Sequence, residues 1–167
     1  MDSLKQDFLK VIDKHQGIIK SLCHIYYHDF EDQRDTRQDI ILQLWKSFTS
    51  FRGESNISTW IYKVSLNTIL SKIKKEKRRP RNESLSHLHE NKPVPSLNAD
   101  DDLQFLNQLI QSLKELDKAV IILYLEGYKN NEIAQLIGLT PSNIGTRMNR
   151  IKATLKSKFR IYHYDFK

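Results

Sequence analysis

The sequence predicts an all-α protein made of two small helical domains joined by a flexible linker. Apolar residues recur every three or four positions over long stretches, the period of a helix with one buried face, and no segment shows the alternation of a strand. Residues 80–102, PRNESLSHLHENKPVPSLNADDD, hold three of the four prolines, many turn formers and little periodic apolar character, so they read as the linker. With 167 residues, 39% of them apolar, the chain can bury one ordinary core or two small ones, and two fit this punctuation better. The predicted divisions are 1–79, 80–102 and 103–167.

The first helix is expected over about residues 3–27, where Phe8, Val11, Ile12, His15, Ile18, Ile19, Leu22 and Ile25 make one stripe. A second is expected to begin near Asp32 or Asp35 and to carry Ile40, Ile41, Leu44, Trp45 and Phe48. A break follows at Arg52-Gly53-Glu54-Ser55, and a third helix starts near Ser58 with Trp60, Ile61, Val64, Ile69, Leu70 and Ile73. In the second domain, Leu106, Leu109, Ile110 and Leu113 form a helix after an Asp100–Asp102 cap. Ala119 to Leu125 form another that stops at Gly127. No internal repeat is apparent.

Residues 130–152, NNEIAQLIGLTPSNIGTRMNRIK, read as a helix-turn-helix. Ile133, Ala134, Leu136 and Ile137 face a core, Gly138 ends the first helix, and Thr140-Pro141 cap and start the second. That second helix turns Ile144, Met148, Ile151, Leu155 and Phe159 inward. Ser142, Gly145, Thr146 and Asn149 then lie opposite, with Arg147 and Arg150 on the flanks. Short hydrogen-bonding residues between two cations suit a helix seated in a DNA major groove, whereas a solvated helix would carry long Glu and Lys side chains there. Glycine inside a helix costs about 1 kcal/mol against alanine, which close approach of Gly145 to DNA would offset. An ordinary helical hairpin with an incidental glycine is the competing reading.

The formal charge of +7 favours a polyanionic partner, or only solubility. Its distribution says more: +5 over residues 1–79, −3 over 80–102 and +5 over 103–167, two basic lobes flanking an acidic connector. Fully extended, that connector reaches about 75 Å at ~3.3 Å per residue, enough for the lobes to grip one duplex at separate sites. Lys72, Lys74, Lys75, Lys77, Arg78, Arg79 and Arg81 put seven cations into ten residues, with Glu76 the single acidic residue among them. A helix macrodipole accounts for one or two of them; phosphate binding accounts for the cluster. Just ahead, Phe51 to Ser58 set an aromatic group and small polar residues beside the cations, a combination suited to unpaired bases. Trp60 and Tyr62 are ambiguous, since an aromatic at helical spacing is more often core than base platform, and core is the favoured reading for Trp60.

Catalytic chemistry finds few candidates. Asp32, Asp35 and Asp39 share one helix face and could in principle hold Mg²⁺, but Arg34 and Arg37 intervene and no second carboxylate motif appears. Cys23, His24 and His28 match no closed tetrahedral spacing. No glycine-rich phosphate loop or Ser-His-Asp set stands out. The expectation is a non-enzyme with no catalytic residue, no metal and no cofactor. One cysteine excludes an internal disulfide framework, no apolar run approaches the ~20 residues that span a bilayer, and MDSLKQDFLKVIDK lacks a signal-peptide apolar region. A cytoplasmic protein without membrane insertion is expected.

Taken together, DQRDTRQDIILQLWKSF at 32–48, FRGESNISTWIYKVSLNT at 51–68 and the terminal helix-turn-helix resemble the extracytoplasmic-function (group IV) sigma factors of bacterial RNA polymerase, of the sigma-70 family. The resemblance covers nearly the whole chain, its halves corresponding to regions 2 and 4 of that family. It implies that Asp32, Asp35, Gln38, Asp39, Gln43, Leu44 and Trp45 belong to the part that docks on the β′ clamp helices of core polymerase, with the β flap as a further contact. It implies −10 recognition by Phe51, Arg52, Ser55, Asn56, Ser58, Asn67 and Ser71, with Lys72, Lys74, Lys75, Lys77 and Arg78 on phosphates. It implies −35 recognition by Ser142, Asn143, Gly145, Thr146, Arg147, Asn149 and Arg150, and an anti-sigma factor as a second partner. This chain departs from the family pattern at Thr36 and Arg37, usually apolar or neutral, at Lys63 and Ser65, usually Arg and Ala, and at Ser71-Lys72-Ile73-Lys74, where Asp and Arg are frequent. A stand-alone helix-turn-helix regulator and a metal-dependent nucleic-acid enzyme are the other classes; the first predicts specific duplex binding without polymerase, the second Mg²⁺-dependent turnover.

Overall fold

The computed structural model describes residues 2–78 and 99–164; of the residues read as linker, 80–98 lie outside this range, as do Arg79 and Arg81. The described residues form α1 (Asp2–Tyr26), α2 (Phe30–Phe48), α3 (Ile57–Arg78), α4 (Ala99–Gln111), α5 (Glu115–Leu125), α6 (Asn130–Ile137) and α7 (Pro141–Tyr164), with no strand among them.

Helices α1, α2 and α3 pack on one another around Phe8, Ile19, Leu22, Ile40, Leu44, Ile61, Leu66 and Ile69. Of the expected α1 stripe, Phe8, Ile19 and Leu22 are buried and the rest half-buried, while Cys23 and Tyr26 join the core. Helix α2 begins earlier than Asp32, at Phe30. Asp29 is the reason: its carboxylate accepts from the backbone N–H of Glu31 at 2.7 Å and of Asp32 at 3.4 Å, satisfying donors that a helix start leaves open. The break before α3 contains Gly53 at φ +72°, a left-handed turn that glycine adopts without a Cβ penalty.

Helices α5, α6 and α7 gather around Val120, Leu123, Ile133, Ile144, Met148 and Ile151, which continue the buried cluster begun by the first three helices. Helix α4 starts at Ala99, so Asp100–Asp102 lie in its first turn, not ahead of it, and Leu113 falls beyond its end. The short α5 is buried over seven successive residues, Asp117 to Leu123. A helix covered on all sides is a central one, and α5 meets α1, α3, α4, α6 and α7. The helix-turn-helix forms where expected. Gly138 ends α6 at φ +71°, and Thr140 Oγ1 accepts from the Asn143 N–H at 3.2 Å to cap α7.

The two lobes touch. Tyr26 Oη donates to the carbonyl of Glu115 at 2.7 Å, Gln111 Nε2 to the carbonyl of His24 at 3.1 Å, and Lys77 Nζ to Glu115 Oε1 at 2.8 Å. Thr59 and Tyr128 share a hydrogen bond of 2.9 Å, and the Tyr128 ring meets that of Tyr62 edge to face with centroids 6.1 Å apart. Burial pushes the Tyr26 hydroxyl far above the usual phenol range, so it stays a donor at this seam. The ammonium of Lys118 sits 5.4 Å over the Tyr26 ring, with its pKa lowered mainly by burial.

Candidate nucleic-acid and partner interfaces

On α7, the inward residues Ile144, Met148 and Ile151 are buried, which turns Ser142, Asn143, Thr146, Asn149 and Arg150 to solvent. The Thr146 hydroxyl donates to the Ser142 carbonyl at 3.1 Å, a bond to the preceding turn that keeps it close to the helix. A Cβ added to Gly145 would meet only Asn130 Nδ2, at 3.8 Å, an ordinary contact. Nothing within the described fold therefore requires glycine at that position.

The two flanking arginines are not free. Arg147 donates through Nη1 to Asp117 Oδ1 at 2.7 Å and through Nε to Asn143 Oδ1 at 2.7 Å. Arg150 donates through Nη2 to both oxygens of Asp117, at 2.9 and 3.1 Å. Asp117 is 4% exposed. Sequence reasoning missed it, because the helix expected over Ala119 to Leu125 leaves it outside, whereas α5 starts at Glu115 and buries Asp117. The signal available was an acidic residue two positions ahead of the apolar run Ala119 to Leu123.

The loop before α3 builds an aromatic pile on the first core. Phe51 lies against Trp60 with ring centroids 5.0 Å apart, and Trp60 against Phe48 at 6.2 Å. Phe51, Ser58 and Trp60 are half-buried, while Arg52, Ser55 and Asn56 are exposed. Tyr62 is a core residue, 5% exposed. Farther along α3, Asn67, Ser71, Lys72 and Lys75 share with Asp39 and Gln43 of α2 an open groove of about 750 Å³. Of the cations there, Lys72 is held inside the lobe. Its ammonium donates to Thr36 Oγ1 at 3.1 Å and to Asp39 Oδ2 at 3.0 Å. This contact also accounts for threonine at a fully buried core position of α2. Lys74, Lys75, Lys77 and Arg78 are exposed, Lys77 being the one that reaches Glu115 of the other lobe.

Across α2, Thr36, Ile40 and Leu44 are buried, and Asp32, Asp35, Gln38, Asp39 and Gln43 are exposed. Trp45 stands at the rim, 39% exposed, with its ring edge-on to Phe8 at 5.0 Å. The acidic face is thus an outer surface with an aromatic margin. Among the described residues no three His, Cys, Asp or Glu side chains gather as a metal site would need, and no described helix is long and apolar enough to cross a membrane.

Comparison with known proteins places both lobes. Residues 11–79 match the sequence profile of Sigma-70 region 2, and residues 105–155 that of Sigma-70, region 4. The chain is 26% identical over 160 residues to the RNA polymerase sigma factor YlaC of Bacillus subtilis, covering 86% of this chain and 92% of that one. It is 24% identical over 169 residues to the ECF RNA polymerase sigma-E factor of Haemophilus influenzae, covering 93% and 89%. Its fold is similar to that of the sigma factor RpoE of Bartonella quintana, solved with the anti-sigma factor NepR, at a TM-score of 0.63 with 20% identity, covering 96% of this chain and 99% of that one. It is also similar to CnrH, solved with the cytosolic domain of CnrY, at a TM-score of 0.62 with 18% identity, covering 94% and 90%. Sigma factors are non-enzymatic initiation factors of transcription, and this chain belongs to the extracytoplasmic-function group of the sigma-70 family.

Proposed function

We propose that this protein acts in the cytoplasm, binds core RNA polymerase through the exposed acidic face of α2 and carries it to promoters that it reads at two places. The first turns of α7 enter the major groove of the −35 duplex. The Phe51–Ser58 loop and the outer side of α3 take the unpaired −10 strand, with Lys74, Lys75 and Arg78 on its phosphates. No bond is made or broken by the sigma factor. Binding energy spent on extruded bases stabilises the melted strand, and polymerase performs the chemistry. The β flap is the expected partner of the second lobe.

The observation that carries this reading is the distribution of exposed groups. Small polar residues flanked by Arg147 and Arg150 line the outer side of α7, and cations line the outer side of α3, on lobes joined by the 80–98 stretch. The two solved relatives are held in complexes, one with an anti-sigma factor, which supports an inhibitor of that kind for this chain. The deciding experiment is run-off transcription with purified core polymerase on promoter-bearing fragments. Initiation at defined start points only in the presence of this protein is expected. Uniform, unspecific transcripts with and without it would remove the proposal.

A further inference from the structure

The first turn of α7 contains an asparagine whose amide has only one chemically allowed orientation. Arg147 Nε, a donor with no acceptor capacity, lies 2.7 Å from the Asn143 amide. The amide must therefore turn its oxygen inward to Arg147 and its NH₂ outward. Arg147 cannot easily release it, since its own Nη1 is bound to Asp117 at 2.7 Å, and Asp117 is buried with a second guanidinium, that of Arg150, reaching both of its oxygens. Withdrawing Arg147 toward DNA would strip a buried carboxylate of one of its two partners, which is costly.

We propose that Asp117 and Arg147 are positioning residues that fix Asn143 as an outward hydrogen-bond donor, and that Asn143 is thereby a specificity-determining reader of guanine at one base pair of the −35 duplex. This rests on the proposed −35 role of α7. A free asparagine prefers adenine, because its oxygen accepts from the N6 amine while its nitrogen donates to N7. With the oxygen engaged behind it, the amide faces the groove with two N–H groups. Adenine then meets a donor at its own donor. Guanine, with acceptors at both O6 and N7, is the base that fits. Arg150, 57% exposed and tied to Asp117 through Nη2 alone, keeps its remaining N–H groups for the backbone or a neighbouring base.

The test is transcription by the reconstituted holoenzyme from a promoter library randomised in the −35 element, read as the preference at each base pair. The full chain should favour G·C over A·T roughly tenfold at one base pair, the discrimination typical of a good side-chain contact to a base edge, and Asn143→Ala should abolish that preference. Arg147→Gln should relax it at the same base pair, because glutamine offers both a donor and an acceptor and no longer dictates the amide. In the Asn143→Ala background, Arg147→Gln should change nothing further there. Asn143→Asp, which keeps the bond to Arg147 and so the local fold, should reverse the preference toward cytosine, whose N4 amine donates. A shift at a different base pair with Arg147→Gln, or a further shift in the Asn143→Ala background, would mean that Arg147 reads DNA itself and would overturn the inference. So would guanine preference surviving in Asn143→Asp. Absence of any promoter-directed transcription by the unaltered protein would instead strike the proposed function.

Discussion

The hydroxyl of Tyr26, at the end of α1, donates to the backbone carbonyl of Glu115, at the start of α5, over 2.7 Å and 89 positions of sequence. The bond joins the two lobes at their closest polar seam, and the tyrosine that makes it is 8% exposed. Tyr26→Phe removes the donor and little else. The expected result is a loss of about 1 kcal/mol, the net value of one intramolecular hydrogen bond, measured as a lower urea midpoint. An unchanged midpoint would show that water replaces the phenol without cost.

The seam should also respond to acid. The hydrogen bond from Lys77 holds the Glu115 carboxyl below its ordinary value of 4.5. A carboxylate whose folded pKa is lowered adds stability that is complete above its unfolded value and is lost as pH falls through the folded one. Small-angle scattering should therefore show the seam loosening only below pH 4.5, as pH falls through the lowered folded value of Glu115. Glu115→Gln should flatten that response. Identical pH profiles for the two proteins would place the acid sensitivity elsewhere.

Ser65 is fully buried, and its hydroxyl has no hydrogen-bond partner among the described residues. An unsatisfied buried hydroxyl costs about 1–3 kcal/mol, and alanine fills nearly the same space. Ser65→Ala should raise the thermal midpoint with transcription unchanged. A lower midpoint would point to an ordered water that satisfies the hydroxyl.

Two lysines of α3 should behave differently. Lys75 is exposed, and Lys75→Ala is expected to weaken promoter binding across sequences and to lower the salt slope by about one. Lys72 is tied to Asp39 and Thr36, so Lys72→Ala should leave the slope unaltered and cost at most about 1 kcal/mol of stability. Filter binding of holoenzyme at several salt concentrations separates the cases. Equal slopes for both variants would contradict the assignment.

On the acidic face, Asp35 is exposed and lies beside the buried Thr36. Asp35→Ala should reduce co-purification with core polymerase while the melting curve stays within about 0.5 kcal/mol of the parent, the usual range for a surface substitution. Undiminished co-purification would remove Asp35 from the docking surface.

Much of this architecture was legible from residue order. The stripe from Phe8 to Leu22, the left-handed stop at Gly138 and the inward set Ile144, Met148 and Ile151 follow from helical period and turn chemistry, which act over a few residues. Helix α2 starts ahead of its expected position because Asp29 caps it from outside the apolar pattern that marks the helix. Thr36 departs from the family pattern in sequence and becomes intelligible once Lys72 is seen to reach its hydroxyl.

By itself, the sequence determined seven stretches of helix, the inward stripe of most of them, and the family likeness of both lobes. Only the tertiary structure decided which charges meet. Asp117 lies 30 positions before Arg147 and 33 before Arg150, and Lys72 lies 33 after Asp39. Periodicity reports that a side chain faces inward or outward, but a pairing between helices depends on how they cross and how deep each side chain lies. Those quantities are fixed by packing of the whole core, so the positioning of Asn143 through Arg147 and Asp117, and the seam between Tyr26 and Glu115, emerge only when the helices are assembled.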